Sequence, residues 1–489
     1  MRLALLLISA AAVTAPLAAS AQYGGRMLDP RLVAEAQREH AGLVQEYGGA
    51  ETGQRAAYVD SVGRRVAAYS GIANPGSAYR FTLLNSAVEN ALSVGGGYIY
   101  VTRQLMTLMN DESELAFSLA HEVAHVAAGH AISRQQVAQR PSIGTILGSI
   151  LGGIVGGGFG SSIAQMSQRN DQLRLLSFSR DQEFQADTLG MRYMIAAGYD
   201  PAGAPNVLTA LSRNSALQAR IQGRDNRELP EWASTHPDSA NRAMRSVQEA
   251  RASGRLGSGV TNRTTFLQSL DGAYVDDDPE QGIIDGRSFT HPDLRMQFSV
   301  PVGYLMQNGT DAVTITGSAG KAQFGGGGYT GTLDTYIYRV LQELGGSQRI
   351  ALPPPQRTVI NGLEAAYATT RANASNGPVD VSVVAYQWAP GTVYHFVMIT
   401  AAGSGMGPFA SMISSLRKIT QAEASAIRPR VMDVVTVGPR DTVQSLADRM
   451  AYRDFKLDRF LTLNALAPNA RLAPGQKVKV VVYGVRRRS

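Results

Sequence analysis

Residues 112–130 read ESELAFSLAHEVAHVAAGH and contain the pattern His-Glu-x-x-His at positions 121 to 125. The run is rich in Ala, Leu and Glu and has no Pro, so it predicts a helix with His121 and His125 one turn apart on one face. Two imidazoles at that spacing can bind one zinc ion, and Glu122 beside them can take a proton from a water that the metal activates. The alternative is a chance match on an amphipathic helix.

A second informative stretch, residues 179–187 with the sequence SRDQEFQAD, follows the first by about sixty residues. It starts with Ser179, a good N-cap residue, and predicts a helix with Glu183 and Asp187 on one face. One carboxylate can complete the protein ligands of the metal while the other orients a histidine. The alternative is an ordinary solvated helix face that carries two acids.

Two further motifs accompany these helices. Residues 90–101 read NALSVGGGYIYV, and the turn Ser234-Thr235-His236-Pro237 is followed by Arg242. In this order the four motifs resemble the zinc metallopeptidases of the CAAX-prenyl-protease and HtpX-like family, a gluzincin group, and most of all its soluble periplasmic branch. The resemblance covers roughly residues 30–250 and implies a mainly helical, zincin-type metallopeptidase domain with a small sheet beside the cleft.

The chain departs from that family in two respects. Gly95 stands where the family usually has Pro, which loosens the turn before the cleft strand. The C-terminal half also lacks the tetratricopeptide repeats of a typical member of the periplasmic branch. Substrate and partner recognition therefore cannot be carried over from the resemblance.

The resemblance implies one zinc ion per chain. Its expected ligands are His121, His125 and Glu183. Glu122 is expected to act as general base toward water and then as acid toward the leaving amine.

Four other residues receive roles from the same resemblance. Asp187 is expected to orient a ligand, and Asn90 to hold the cleft strand or the substrate. Arg242 is a candidate for binding the oxyanion or a carboxylate. His236 either hydrogen-bonds to the tetrahedral intermediate or binds zinc as a possible fourth ligand that displaces the water. We predict the second role, in which His236 keeps the protease inactive until it moves.

Composition excludes several classes of protein. The 489 residues suggest roughly three domains, and the net charge of +7 comes with only 17% charged residues. No basic stripe is interleaved with aromatic residues, so we expect no binding to nucleic acid. The chain has no cysteine, which excludes disulfides and leaves His and carboxylates as the metal ligands.

The N-terminus predicts export. Residues 1–21 combine an early basic residue, a short apolar run and Ala19-Ser20-Ala21, which is typical of a secretory signal cleaved after Ala21. The alternative, a retained anchor, needs a longer apolar run. We therefore expect the mature protein in the periplasm, either free or associated with membrane or cell wall.

A glycine-rich run at residues 142–164 repeats Gly every fourth position without any charge. Small residues at this spacing let helices approach closely, as in membrane helix pairs. Three interpretations remain open: a loop that dips into the membrane, a mobile lid over the cleft, or ordinary packing. We favour a flexible lid that can make peripheral contact with a membrane.

The rest of the chain predicts a multidomain α+β organisation. After the metallopeptidase domain (22–252), residues 253–288 are rich in Gly, Ser and Asp and predict a linker. Residues 289–420 predict an α+β accessory domain, with a helix at 333–344 and a hairpin turn at Asn361-Gly362. Residues 431–485 resemble a small LysM peptidoglycan-binding domain, or a degenerate one without affinity for glycan.

The expected function follows from the resemblance. It implies an exported zinc endopeptidase that cleaves misfolded or stalled envelope proteins, including outer-membrane β-barrel proteins. The alternative is a chaperone or adaptor for envelope protein assembly, with little or tightly gated proteolysis.

Overall fold

A computed structural model describes residues 25–131, 178–221, 236, 239–310, 312–345, 353–374 and 377–486. The expected signal segment (1–21) and the glycine-rich run (142–164) lie outside these residues. The described part is a multidomain protein of mixed helix and sheet, as expected. None of its helices has the length and apolar character needed to cross a membrane.

The first half of the chain is mainly helical and contains one small sheet. Its helices are α1 (Pro30–Glu46), α2 (Gln54–Ala67), α3 (Pro75–Ala78), α4 (Arg103–Leu108), α5 (Glu112–Ala128), α6 (Arg180–Ala196), α7 (Gly203–Ile221) and α8 (Ser239–Ala252). Its strands are β1 (Arg80–Leu84), β2 (Ala91–Gly95) and β3 (Tyr98–Thr102). The order is β1-β3-β2, with β1 parallel and β2 antiparallel to β3, so β2 forms an edge of this sheet.

The turn from β2 to β3 consists of three glycines. Gly95, Gly96 and Gly97 have φ angles of 93°, 57° and 84°, in the left-handed region that glycine adopts without strain. A Cβ on Gly97 would lie 1.9 Å from the carbonyl oxygen of Ala78. Position 95 is where the family that this chain resembles usually has Pro. Here Gly95 is instead the first residue of a tight turn that needs glycine.

The segment 253–288, expected to be a linker, differs from that expectation. It contains α9 (Arg263–Leu270), which buries Phe266 and Leu267 completely and packs between α2 and the C-terminal strands. The buried side chain of Arg103 also binds it, donating to the carbonyl oxygens of Tyr274 and Asp276. The Gly- and Asp-rich composition of 253–288 indicated an exposed segment. Three apolar residues of α9, namely Phe266, Leu267 and Leu270, are nevertheless enough to anchor this segment in the core.

The sheet-rich region follows. Its strands are β4 (Ile283–Asp285), β5 (Ser288–His291), β6 (Met296–Ser299), β7 (Leu305–Asn308), β8 (Ala312–Gly317), β9 (Gly320–Gly328), β10 (Gln356–Ile360), β11 (Leu363–Ala374), β12 (Gly377–Ala389), β13 (Thr392–Ala401) and β14 (Arg417–Lys418). Its helices are α10 (Leu333–Gly345), α11 (Ala410–Ser415) and α12 (Gln421–Ala426). Seven strands form an antiparallel sheet in the order β10-β11-β12-β13-β9-β8-β7, and four form a second sheet in the order β14-β6-β5-β4.

The C-terminal part has the order strand, helix, helix, strand. The elements are β15 (Arg430–Thr436), α13 (Val443–Asp448), α14 (Lys456–Leu463) and β16 (Lys477–Tyr483). β15 and β16 pair antiparallel from Arg430↔Tyr483 to Thr436↔Lys477. Their apolar residues join the same hydrophobic core as α2, α5 and α9, whereas the seven-stranded sheet packs around two cores of its own.

Candidate metal centre

Helix α5 carries the His-Glu-x-x-His pattern through the middle of the largest core. Asp111 caps it by accepting hydrogen bonds from the backbone N–H groups of Ser113 and Glu114, and Gly129 ends it in a left-handed conformation. His121, Glu122 and His125 are all buried on this helix. The predicted helix is thus present, with both imidazoles one turn apart.

Helix α6 brings the acidic residues against α5. Its N-terminus is a capping box in which Ser179 and Gln182 exchange hydrogen bonds. A Cβ on Gly190 would lie 3.0 Å from the backbone nitrogen of His121, so glycine lets the two helices approach closely. Glu183 and Asp187 are buried on the face turned to α5, which excludes the interpretation as a solvated face.

Four buried side chains converge around one point: His121, His125, Glu183 and His236. His121 Nε2 lies 3.0 Å from His125 Nε2, 3.4 Å from Glu183 Oε2 and 3.4 Å from His236 Nδ1. His236 Nδ1 lies 3.2 Å and 3.1 Å from the two Glu183 oxygens. Ligands bound to zinc at about 2.0–2.2 Å in a tetrahedron stand about 3.3–3.6 Å apart. The donor set of three imidazoles and one carboxylate can therefore hold a metal ion such as zinc.

Asp187 and Arg242 contact the side chains of this cluster and orient them. Asp187 Oδ1 lies 3.0 Å from His121 Nδ1, which leaves Nε2 of that ring for the cluster. Arg242 donates to both Asp187 oxygens, each at 2.7 Å, and its third nitrogen lies 2.7 Å from Glu183 Oε2. The guanidinium thus contacts two carboxylates beside the cluster, while its Nη1 makes no hydrogen bond within the described part of the chain.

The charges of the cluster shift its pKa values strongly. Burial opposes ionisation of Glu183, but His236 and Arg242 hold its pKa well below the usual range. Burial likewise opposes ionisation of Asp187, and Arg242 above all lowers its pKa. Burial and Arg242 disfavour the charged form of His121, yet hydrogen bonds to Asp187 and Glu183 outweigh them and raise its pKa to about 9.

The second imidazole of the pattern, His125, is oriented by a residue that the sequence reasoning missed. His130 Nδ1 lies 2.8 Å from His125 Nδ1, and His130 Nε2 lies 3.0 Å from Gln185 Oε1. Because that amide oxygen only accepts, His130 donates from Nε2 and accepts at Nδ1. His125 then donates from Nδ1 and presents its Nε2 lone pair to the cluster, and burial lowers its pKa well below the usual value.

The missed residue had a signal in the sequence. A spacing of five residues does not place His125 and His130 on one face of a regular helix. Gly129, however, ends α5 in a left-handed conformation, with φ of 74°, and this turns His130 back toward His125. The Gly-His pair directly after the helix was that signal. Phe178 stacks on His125 from the other side, with ring centroids 3.8 Å apart.

The edge strand β2 fixes His236. The Nε2 nitrogen of His236 donates to the carbonyl oxygen of Ala91 at 3.1 Å, so Nδ1 presents its lone pair to the cluster. The preceding residue, Asn90, is buried, and its backbone N–H and C=O both bond to Thr102 on β3. Asn90 therefore holds the end of β2 to the sheet, next to the carbonyl that positions His236.

Glu122 lies beside the cluster and is buried. Its Oε1 is 3.5 Å from His236 Nε2. Its Oε2 is buried and has no hydrogen-bond partner within the described part of the chain. Buried carboxylate oxygens are normally paired, so this oxygen fits a site that receives a water or a substrate group. Glu122 also lines a small cavity together with His121 and His236.

Comparisons with known proteins agree with this geometry. The family model "Peptidase family M48" matches residues 53–250. A beta-barrel assembly-enhancing protease from Yersinia pestis is 29% identical over 201 residues, which are 38% of this chain and 38% of that protein. The mitochondrial metalloendopeptidase OMA1 of Schizosaccharomyces pombe is 29% identical over 194 residues, 39% of this chain and 52% of that protein. The metalloprotease LoiP of Escherichia coli is 30% identical over 156 residues, 32% of this chain and 56% of that protein.

The matches share one part of the chain. The alignment with the Yersinia pestis protein spans well under half of that protein's length. The family match includes α5, α6 and α8, which carry the histidines, carboxylates and arginine of the cluster. Residues 53–250 of this chain therefore resemble peptidase family M48, a family of zinc-dependent metallopeptidases.

Proposed function

We propose that the chain is an exported zinc-dependent endopeptidase that cleaves misfolded or stalled envelope proteins. The observation that carries the catalytic part is the buried four-donor cluster with a carboxylate, Glu122, whose second oxygen lacks a partner. A metal-binding group alone would also suit a structural site. A carboxylate with a free oxygen at the edge of the cluster is what a hydrolase needs in addition.

The proposed roles follow from the contacts. His121, His125 and Glu183 hold one zinc ion, which when bound lowers the pKa of a water to about 7 and polarises a carbonyl oxygen. Glu122 accepts the proton of the attacking water at its unpartnered oxygen and later delivers it to the leaving amine. Asp187 and Arg242 act as positioning residues, because they touch the ligands. Asn90 keeps β2 in place beside the cleft.

His236 is proposed as the fourth ligand in a resting state. Its Nδ1 stands with the other three donors, and a closed set of four protein ligands is typical of structural rather than catalytic zinc. A catalytic site needs one open position, so His236 has to leave before water enters. The same closed set favours the second candidate function, a chaperone or adaptor whose proteolysis is tightly gated.

We predict that His236→Ala keeps most of the bound zinc and cleaves protein substrates faster or less selectively. The reason is that three ligands remain while the fourth position opens to water. Zinc content and the rate of casein cleavage measure the two effects. Loss of activity with zinc retained would assign His236 to the transition state instead.

The envelope role is supported by the names of the relatives. The Yersinia pestis protein is called a beta-barrel assembly-enhancing protease, and the Schizosaccharomyces pombe protein a mitochondrial metalloendopeptidase. Together with the signal expected at residues 1–21, they support cleavage of stalled outer-membrane proteins in the periplasm. The run at 142–164 remains a proposed lid with peripheral membrane contact.

The C-terminal residues 431–485 are proposed to bind peptidoglycan as a LysM-like domain. The strand-helix-helix-strand order supports this, as do exposed residues between α14 and β16. Because its sheet packs against α9, binding is best tested by sedimentation of the whole chain with purified peptidoglycan. We also propose the boundaries 22–252 for the metallopeptidase and 289–420 for the accessory domain.

The test of the proposed function compares the intact chain with Glu122→Gln. A stalled β-barrel protein should be degraded by the intact chain and persist with the variant, while both hold one zinc per chain. The amide keeps the shape of the side chain but cannot accept the proton. Glu183→Ala is the matched control, because it should lose most of the zinc. Equal degradation by the intact chain and by Glu122→Gln would refute the proposed endopeptidase activity.

A further inference from the structure

A cavity of about 40 Å³ adjoins the catalytic residues. Three of its lining residues belong to the catalytic cluster, namely His121, Glu122 and His236. The rest of the wall is largely apolar: Ala91, Leu105, Phe117, Val207, Leu208 and Leu211. A cavity that is polar at one end and apolar at the other fits a binding site for part of a substrate.

Helix α7 supplies most of the apolar wall. Val207, Leu208 and Leu211 occupy positions i, i+1 and i+4 and are 1%, 3% and 7% exposed. The helix begins at Gly203, where a Cβ would lie 2.3 Å from the carbonyl oxygen of Ser113 on α5. This close approach fixes α7 against the helix that carries Glu122. The wall is therefore built on a rigid element rather than on a loop.

Apart from Glu122, which acts on the water in the proposed function, the cavity is poor in groups that would bind a charged side chain. Arg242 lines it, but its guanidinium already bonds to Asp187 and lies 2.7 Å from Glu183. The polar hydroxyl of Ser118 donates to the backbone oxygen of Glu114, at 3.0 Å. A charged group moved into such a wall without a partner loses its hydration at a large cost.

We propose that this cavity is the specificity pocket for the substrate residue beside the scissile bond, and that it selects aliphatic side chains of the size of valine or leucine. The inference rests on the proposed endopeptidase function. A peptide carbonyl within reach of Glu122 has a side chain on its own or the next residue, and the cavity is continuous with that position. An aliphatic group there buries its surface at about 25 cal/mol per Å².

The volume sets the size of the preferred side chain. One enclosed water needs roughly 10–15 Å³ on this measure and about 30 Å³ of liquid, so the cavity has room for about three waters, or roughly 90 Å³. An isopropyl or isobutyl group fits that space. Benzene binds in a cavity of about 150 Å³, which compares directly with the 40 Å³ of this one, so phenylalanine should be disfavoured.

The experiment uses the full-length, zinc-loaded protein. Cleavage sites are first read by mass spectrometry from a mixture of proteome-derived peptides. The ratio of kcat/KM is then measured for matched peptides with Leu, Val, Phe or Asp at the selected position. We expect Leu and Val to exceed Phe by at least about tenfold and Asp by more, because a misplaced group costs roughly 1–3 kcal/mol in such a pocket.

Variants of the wall should change the preference. Leu208→Ala and Leu211→Ala enlarge the cavity and should bring the Phe peptide to within about threefold of the Leu peptide, with zinc content unchanged. Val207→Ala removes less volume and serves if a larger truncation fails to fold. Leu217→Ala is the matched control, because Leu217 is buried on the same helix but does not line the cavity.

The outcomes separate the two proposals. If the intact, zinc-loaded chain cleaves no peptide, both the proposed function and the proposed pocket are refuted. If it cleaves without an aliphatic preference, or if the wall variants lower all rates equally, the function stands and the pocket is refuted. A shift toward Phe in the wall variants but not in Leu217→Ala establishes the pocket.

Discussion

The C-terminal part and the sheet-rich region attach to the metallopeptidase in different ways. Met432, Phe460 and Val480 of the C-terminal part belong to the same hydrophobic core as α5, the helix that carries His121 and His125. The sheet-rich region instead has two cores drawn from its own residues, one on each side of the seven-stranded sheet. The part farther away in sequence is thus the one that shares the core of α5.

A buried lysine makes this attachment specific. Lys479 on β16 is completely buried, and its Nζ donates to the carbonyl oxygens of Thr107 and Met109 at 2.7 Å and 2.6 Å. The carboxylate of Glu114, in the first turn of α5, favours the charged form of this lysine. Burial lowers the pKa of Lys479 and raises that of Glu114. The C-terminal part therefore supports α5 at its N-terminus, while the metal cluster occupies the other half of the helix.

The sheet-rich region makes mainly polar contacts with the rest. Asn308 donates to the carbonyl oxygens of Gln281 and Gly282, at 3.0 Å and 2.8 Å. Interfaces of this kind bury less apolar surface than a shared core and stabilise their neighbours less. The difference implies that the sheet-rich region can be removed from the chain, whereas the C-terminal part cannot.

The largest predicted effect compares two deletions. Removing residues 431–489 should unfold the metallopeptidase and abolish zinc binding, because the shared core loses its C-terminal share. Replacing residues 287–427 by a short Gly-Ser linker should preserve both. The linker is feasible because Asp285 Oδ1 lies 3.0 Å from an Arg430 nitrogen. Zinc content and circular dichroism measure metal binding and folding in the two deletion variants. A folded, zinc-loaded protein without residues 431–489 would show that the metal centre does not depend on the shared core.

The next effect concerns the lysine itself. Lys479→Met should lower the free energy of unfolding by roughly 3–5 kcal/mol, since it leaves two backbone carbonyls buried without their donor and removes the positive charge that favours ionised Glu114. Adding Glu114→Gln should restore part of the loss. The matched control is Arg371→Met in the sheet-rich region, because Arg371 is largely exposed and its pairing with Asp380 should contribute less than about 1 kcal/mol. Urea unfolding measures the stability of all three variants. Equal losses of stability in Lys479→Met and Arg371→Met would contradict the special role of the buried lysine.

One pH effect on stability should arise within the sheet-rich region. His395 on β13 is buried, bonds through Nδ1 to the Tyr336 hydroxyl at 2.8 Å, and has its pKa lowered from 6.5 to about 4 by burial. Between pH 6.5 and 4 the unfolded chain binds the proton that the folded chain does not. The stabilising contribution is therefore full above pH 6.5 and is lost as the pH falls toward 4, by up to about 3 kcal/mol.

The measurement of that effect can be made local. The chain has two tryptophans, and Trp388 lies in the sheet-rich region, so its fluorescence in a Trp232→Phe background follows this region alone. Urea midpoints at pH 7.5 and pH 5 should differ in the parent and much less in His395→Gln. An equal pH shift in both proteins would assign the acid sensitivity to other groups.

The sequence predicted local structure well where one short pattern decides it. The helix expected at 333–344 is observed at Leu333–Gly345, and Asn361-Gly362 forms the hairpin turn with φ of 49° and 77°. The helices that carry His121 and Glu183 also pack against each other as expected. The histidines of one helix and the carboxylates of the other interact only when these two faces are in contact.

Features that depend on distant contacts were not predictable from the sequence. Nothing near Lys479 indicated that a lysine in an alternating strand would be buried against Thr107. The composition of 253–288 suggested a linker because Gly, Ser and Asp outnumber the few apolar residues of α9. His130 was overlooked because its contact with His125 depends on one left-handed glycine. In each case a tertiary contact overrides the local composition.

The smallest predicted effect separates remote from direct support of the metal centre. Lys479 acts more than a turn before the histidines, so in folded Lys479→Met the zinc affinity should be unchanged. His130→Ala removes the acceptor that fixes the His125 ring and should weaken zinc binding about 10–100-fold, with little loss of stability. His130→Asn can still offer an oxygen to His125 and should restore much of the affinity. Competition with a zinc chelator measures the affinity, and urea unfolding of the zinc-free proteins measures stability. If Lys479→Met weakened zinc binding as much as His130→Ala, the C-terminal part would control the geometry of the metal centre and not only the stability of its helix.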